Sequence, residues 1–130
     1  MRDGLLRKLL DQGITPVISP ISLGLDGQIY NVNSDQVASA VASALGAQSL
    51  DFVTDVPGIL RTGNVQPDMT IGDAERLIES KGIREGMIPK VRAGAEALSK
   101  GVTNVRFMNL PGLVSGNGTT LTSKGAESTG

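Results

Sequence analysis

Residues 34–58 read SDQVASAVASALGAQSLDFVTDVPG, and this stretch decides the fold class. It opens with Ser34, a residue type that caps helices. The residues behind it place apolar side chains at the spacing of one helix face: Val37, Val41, Ala44 and Leu45. Gly46 ends this pattern, residues 50–53 form an apolar run as long as a buried strand, and turn residues follow at 55–58. A helix, a strand and a strand-end turn in succession are typical of an α/β sheet.

The same alternation continues on both sides of that stretch. Toward the N-terminus the spacing predicts three elements, which are a helix over 3–12, a strand over 15–18 and a hairpin over 21–32 with a type I′ turn at Asp26-Gly27. Toward the C-terminus it predicts a polar loop over 61–68, a helix capped by Thr70, a helix over 87–98, and strands around Val105 and over 118–122. We therefore expect an α/β domain with a mainly parallel sheet over residues 1–122, followed by a disordered tail over 123–130.

Histidine and cysteine are both absent, which excludes several kinds of chemistry. Without cysteine there are no disulfides or thiolate metal sites, and without histidine the commonest general base is missing. A net charge of -1, with two Phe, one Tyr and no Trp, argues against a nucleic-acid partner. No apolar run approaches the ~20 residues of a membrane span, and the charged start Met1-Arg2-Asp3-Gly4 argues against a secretory signal. We expect a cytoplasmic protein.

Three polar clusters fall at predicted strand ends, where ligands bind in sheets of this kind. Asn31, Asn33 and Asp35 alternate into a helix start, where they can meet a ligand or simply cap the helix. Residues 54–58 can present backbone groups to a nucleotide or form an ordinary turn. Residues 86–90 place a lysine at a helix start, where the macrodipole favours anions, although such a lysine is often only a solvated charge. From spacing alone, the structural interpretation is the better one for each cluster.

Phosphoryl transfer is the chemistry that this residue set favours. The sequence contains neither GxxxxGK[ST] nor GxGxxG, and it lacks the histidine base of serine hydrolysis. Phosphoryl transfer needs mainly positioning and charge neutralisation, which lysines, an aspartate, backbone amides and Mg²⁺ can supply.

Four blocks of sequence, in order and spacing, closely resemble the acetylglutamate kinases of the amino acid kinase family. They are GITPVI at 13–18, DGQIYNVNSD at 26–35, TDVPGIL at 54–60 and GMIPKV at 86–91. The likeness runs from about residue 3 to about residue 122. It implies the nucleotide-binding, C-terminal half of an open, three-layer αβα sandwich. In this family, ATP phosphorylates the γ-carboxylate of N-acetyl-L-glutamate, a step of arginine biosynthesis. Mg²⁺ would be carried by the nucleotide, with no metal ligands from the protein.

The resemblance also implies a role for individual residues. Asn31 matches the asparagine that contacts the acylamino acid, Asp35 matches the aspartate that organises catalytic lysines, and Lys90 matches the lysine that stabilises the transferring phosphoryl group. Eleven further residues match nucleotide-contacting positions: Thr54, Asp55, Val56, Pro57, Gly58, Ile59, Leu60, Gly82, Ile83, Arg84 and Met87.

The chain also departs from the family pattern. Family members are roughly twice as long, and their N-terminal half carries a catalytic lysine, a glycine-rich phosphate loop and a substrate arginine that have no counterpart here. We therefore expect an enzyme half that is inactive alone and that self-associates or needs the other half. Two alternatives stay open: a non-catalytic nucleotide-binding or regulatory module, and a related kinase with another acceptor, such as uridylate, glutamate or carrier-linked aminoadipate.

Overall fold

The computed structural model describes residues 3–123. The predicted tail therefore lies outside the described residues, except for its first position. The helices are α1 (Gly4–Asp11), α2 (Ser34–Leu45), α3 (Ile71–Glu79), α4 (Ile88–Ser99), which follows a 3₁₀ turn at Glu85–Met87, and α5 (Leu110–Ser115). The strands are β1 (Ile21–Leu23), β2 (Ile29–Asn31), β3 (Ser49–Val53), β4 (Leu60–Arg61), β5 (Asn64–Val65), β6 (Asp68–Thr70), β7 (Asn104–Met108) and β8 (Thr119–Thr122).

Four of these strands form the main sheet, in the order β3-β7-β8-β6. β3 pairs with β7 in parallel, β6 pairs with β8 in parallel, and β7 pairs with β8 antiparallel. The prediction of an α/β fold with a mainly parallel sheet is thus confirmed. These directions place four strand termini at the same end of the sheet: β3 and β7 end there, and β8 and β6 begin there.

The core lies between the sheet and α4. Phe52 of β3 and Phe107 of β7 are register partners whose rings stack with centroids 5.2 Å apart. Gly94 of α4 rests directly on this pair, because a Cβ at that position would come within 2.8 Å of Val105 Cγ1 and 3.1 Å of Phe107 Cζ. α2 packs beside α4, and α3 follows β6. On the opposite face of the sheet, α5 contacts β7, so helices flank the sheet on both sides.

The N-terminal segment differs from the prediction at two points. Residues 15–18 do not form a strand, since no strand of the described chain lies beside them to accept their hydrogen bonds; Val17 is 97% exposed. The β1–β2 hairpin forms, but Gly27 alone takes a positive φ in its loop, and Gly24 N donates to Gln28 O across three intervening residues. This is the three-residue loop with a glycine bulge, so the predicted type I′ turn is wrong.

Two other predictions need correction. The cap of α2 is Asn33, whose side chain accepts from two backbone N–H groups, so Ser34 is already the first helical residue. The predicted polar loop over 61–68 contains the short β4–β5 hairpin and the start of β6. α5, which precedes the last strand and is capped by the Asn109 side chain, was not among the predicted elements. Thr70 caps α3 as predicted, by accepting a hydrogen bond from Asp73 N.

The described part of the chain contains no helix that is both long enough and apolar enough to cross a membrane.

Candidate functional site

Asp35 and Lys90 form an ion pair between the starts of two helices. Asp35 lies in the first turn of α2, where its backbone N–H donates to the Asn33 side chain over 2.9 Å. Lys90 lies in the first turn of α4, and its Nζ is 3.5 Å from both carboxylate oxygens of Asp35. The side chains are 14% and 24% exposed, respectively. The fold thus joins two predicted site residues that are 55 positions apart in sequence.

The two charges of this pair relate differently to their own helices. A carboxylate in the first turn of α2 is favourable to the helix dipole, whereas an ammonium in the first turn of α4 is not. The charge of Lys90 is therefore unfavourable at the start of α4, and the ion pair with Asp35 offsets this effect. Residues that break a local rule with support from elsewhere in the fold are typical of functional sites. A bound polyanion would reduce the unfavourable effect, because its negative charge would face the ammonium at the helix start.

The two segments that the resemblance assigns to a nucleotide face each other across what we call the small hollow. It holds about 30 Å³ and is lined by eight of the eleven matched residues: Val56, Gly58, Ile59, Leu60, Gly82, Ile83, Arg84 and Met87. That volume is roughly the space of one water molecule. The walls would have to separate to admit a purine ring. Arg84 is exposed, whereas Ile83 and Met87 are buried.

Three matched residues lie outside the small hollow. Thr54 extends the pairing of β3, since its N–H donates to the Met108 carbonyl over 2.8 Å, and its hydroxyl donates to Asp55 Oδ1 over 3.3 Å. Asp55 and Pro57 are exposed. Pro57 borders a second cavity, the large hollow, which holds about 600 Å³ between α5, Val65 and the start of β8.

The predicted acceptor-side residue stands apart from the ion pair. Asn31 ends β2 and pairs with Ile21 on the exposed hairpin. In residues 3–123, it lines neither the small hollow nor the large hollow. The structure therefore brings Asp35 and Lys90 into direct contact and leaves Asn31 four residues before the pair, at the entrance to α2.

Sequence reasoning missed one buried contact behind the small hollow. The Thr119 hydroxyl accepts a hydrogen bond from Ile59 N over 2.9 Å, and both residues are almost completely buried. The only signal in the sequence was a threonine directly after the Gly116-Asn117-Gly118 turn.

A second ion pair links the neighbouring strands β3 and β7 beside the large hollow. Arg106 donates to both oxygens of Asp51 over 2.9 and 2.8 Å, in the two-pronged geometry typical of guanidinium–carboxylate pairs. This hydrogen bonding lowers the pKa of the Asp51 carboxyl and raises that of the Arg106 guanidinium. The pair stabilises the register of β3 on β7, because the two residues are direct partners there.

The described residues contain no cluster of three or more acidic, histidine or cysteine side chains that could hold a metal ion.

Comparison with known proteins decides the family. The family model "Amino acid kinase family" matches residues 2–109. This chain belongs to the amino acid kinase family. Among its relatives, the acetylglutamate kinase of Roseiflexus sp. (strain RS-1) is 52% identical over 121 residues, which cover 93% of this chain and 46% of that protein. The acetylglutamate kinase of Geobacillus kaustophilus (strain HTA426) is 49% identical over 84% of this chain and 42% of its own length.

Solved structures agree with this assignment to the amino acid kinases. A crystal structure of a protein from Streptococcus mutans UA159 superposes with a TM-score of 0.86 at 30% identity, covering 95% of this chain and 49% of that chain. The resemblance to acetylglutamate kinases and the amino acid kinase fold are thus confirmed. The chain spans about half the length of the curated relatives it matches.

Proposed function

We propose that this chain is the nucleotide-binding half of an acetylglutamate kinase. With the rest of the enzyme, it would transfer the γ-phosphoryl group of ATP to the γ-carboxylate of N-acetyl-L-glutamate, a step of arginine biosynthesis in the cytoplasm. The observation that supports this most directly is the Asp35–Lys90 pair, which joins two helix starts and holds an ammonium in the first turn of α4. The names of the relatives supply the acceptor.

In this proposal, Lys90 neutralises charge on the phosphoryl group during transfer. The acceptor carboxylate attacks the γ-phosphorus while the bond to the bridging oxygen of ADP breaks, so no proton has to move and the lack of histidine is no obstacle. Asp35 restrains the lysine, whose flexible stem would otherwise sample many positions. Mg²⁺, carried by the nucleotide, would supply further charge neutralisation on the phosphates.

The small hollow would take the base side of the nucleotide. Its lining is mainly apolar, with Val56, Ile59, Ile83 and Met87 beside Gly58 and Gly82, and such a lining suits a flat heteroaromatic ring. Asn31 would approach the acylamino acid from the hairpin.

The chain presents a surface that the remainder of the enzyme would cover. β3 is an edge strand of the sheet. Ten large apolar side chains of the segment before α2 are exposed: Leu5, Leu10, Ile14, Val17, Ile18, Ile21, Leu23, Leu25, Ile29 and Tyr30. Exposed apolar surface of this extent marks an interface rather than an ordinary surface. In the proposal, the other half of the kinase occupies it, and residues 15–18 gain the strand partner that they lack here.

Isothermal titration calorimetry of the chain with Mg-ATP tests the proposal. We expect saturable binding that Lys90→Gln weakens several-fold. Lys100→Gln is the matched control, because Lys100 pairs with Glu96 at the far end of the same helix and should leave the affinity unchanged. A folded sample with no heat of nucleotide binding would refute the function.

The non-catalytic module is the second candidate, because the chain spans less than half of its relatives. Mixing the chain with a separately made N-terminal half of a relative distinguishes the two. Formation of ADP that depends on both N-acetyl-L-glutamate and the added half supports the kinase, whereas binding without turnover in the mixture supports the module.

A further inference from the structure

We propose that Thr119 is the positioning residue of the nucleotide loop, defined as residues 56–60. This inference rests on the proposed function, and it assigns a role to a residue of the last strand that lies 60 positions from the loop in sequence. Thr119 would act through Ile59 and would not itself touch the nucleotide.

Hydrogen bonds at Ile59 hold the loop in place. Pro57 is exposed, and the loop connects the end of β3 to β4, a strand of two residues that pairs with the equally short β5. The side chain of Ile59 is buried, and its backbone N–H donates to the Thr119 hydroxyl. Gln66 N donates to the Ile59 carbonyl over 2.9 Å. The hydroxyl therefore connects the loop directly to the main sheet.

The neighbouring glycine fits against the same hydroxyl. A Cβ on Gly58 would lie 2.8 Å from Thr119 Oγ1, 2.9 Å from Val65 Cγ1 and 3.3 Å from Thr119 N. The space between the loop backbone and Thr119 is thus too small for a side chain at position 58. Gly58 and Ile59 are both lining residues of the small hollow, so the position of Thr119 determines the position of that wall.

Thr119 is itself anchored in the packed core of the main sheet. It begins β8 and is the register partner of Phe107, whose ring stacks on Phe52. Phe107 and Thr119 are 0% and 1% exposed. A group held by a packed core is suited to hold a loop that must open to admit a base and then close on it.

The test compares three variants of the full chain. Thr119→Val keeps the shape but removes the acceptor, which leaves a buried N–H unpaired, so we expect Mg-ATP affinity to fall roughly tenfold. Thr119→Ser keeps the hydroxyl and should restore affinity to within about twofold of the wild type. Thr120→Val is the strand control, because its side chain points to the opposite face of the sheet and the Ile59 bond is retained.

Hydrogen exchange of the Ile59 amide distinguishes a local effect on the loop from a general loss of stability. Calorimetry is run at a temperature at which all variants are folded, and amide hydrogen exchange is followed by NMR. We expect the Ile59 amide to exchange faster in Thr119→Val, while amides of β7 stay protected. Thr119→Val with wild-type affinity, or Thr119→Ser as weak as Thr119→Val, would overturn the proposal. If the wild type itself binds no Mg-ATP, the proposed function fails first and this inference fails with it; failure of the inference alone requires a wild type that binds.

Discussion

Asp35 and Lys90 should affect nucleotide affinity in opposite directions. Lys90→Gln removes a positive charge that faces the phosphates in the proposed site, whereas Asp35→Asn removes the negative charge that partly cancels it. Both substitutions break the same ion pair and should lower stability. Affinity for Mg-ATP should fall in the first variant and rise, or at least not fall, in the second.

The magnitude follows from the geometry of the pair. Unit charges 3.5 Å apart interact with about 5 kcal/mol at an effective dielectric constant of 20 and about 1 kcal/mol in water. Both side chains are partly exposed, so after desolvation and side-chain ordering we expect a coupling of about 1 kcal/mol in the free energy of unfolding. The loss of one phosphate-facing charge should weaken nucleotide binding by about 1 to 2 kcal/mol, which is roughly 5- to 30-fold.

Two measurements on four proteins check this reasoning. Urea unfolding of the wild type, both single variants and the double variant gives the coupling by a double-mutant cycle. Calorimetry at low and high salt gives the nucleotide affinity, and the difference between the variants should shrink as salt rises. Equal weakening of Mg-ATP binding by both substitutions would refute the reasoning, since the pair would then act only as a structural contact.

Three further outcomes follow from the packing and the charges. Gly94→Ala should lower the free energy of unfolding by about 1 to 3 kcal/mol in urea melts, because its methyl group would press on Val105. The hydrogen bonds from Arg106 lower the pKa of Asp51 in the folded state below its value in the unfolded chain. The pairing therefore stabilises the fold fully above pH ~4, and this contribution is lost as the pH falls through the pKa of the folded state. The stability difference between wild type and Asp51→Asn should thus vanish in acid; a constant difference would contradict this. The chain should self-associate through the unpaired edge of β3, and Val53→Lys on this strand should lower the molecular mass measured by light scattering. A wild-type chain that is entirely monomeric would contradict this prediction.

Local patterns were sufficient for most of the fold. α2, α4, β3 and β7 formed near their predicted positions, since the spacing of apolar residues reports directly which face is buried. Gly46 ends α2 in the left-handed conformation that its residue type predicts. These features depend on neighbours in sequence, which a single sequence displays.

The errors arose where structure depends on distant partners. Residues 15–18 have the composition of a strand, but a strand also needs an adjacent strand, and none lies there within residues 3–123. The hydroxyl of Thr119 gains its significance only when the fold brings β8 beside the loop that follows β3. Asp35 and Lys90 were found through a resemblance; spacing alone favoured a cap and a solvated charge. Their contact could be seen only after α2 and α4 were packed together.

An NMR titration of the isotope-labelled chain with Mg-ATP is the most direct test of nucleotide binding at this site. We expect saturable shifts of the backbone amides in 54–60 and 82–90 and of the Lys90 side chain, with little change in α5. Shifts confined to residues around the large hollow, or an unchanged spectrum of the folded chain at millimolar nucleotide, would contradict it.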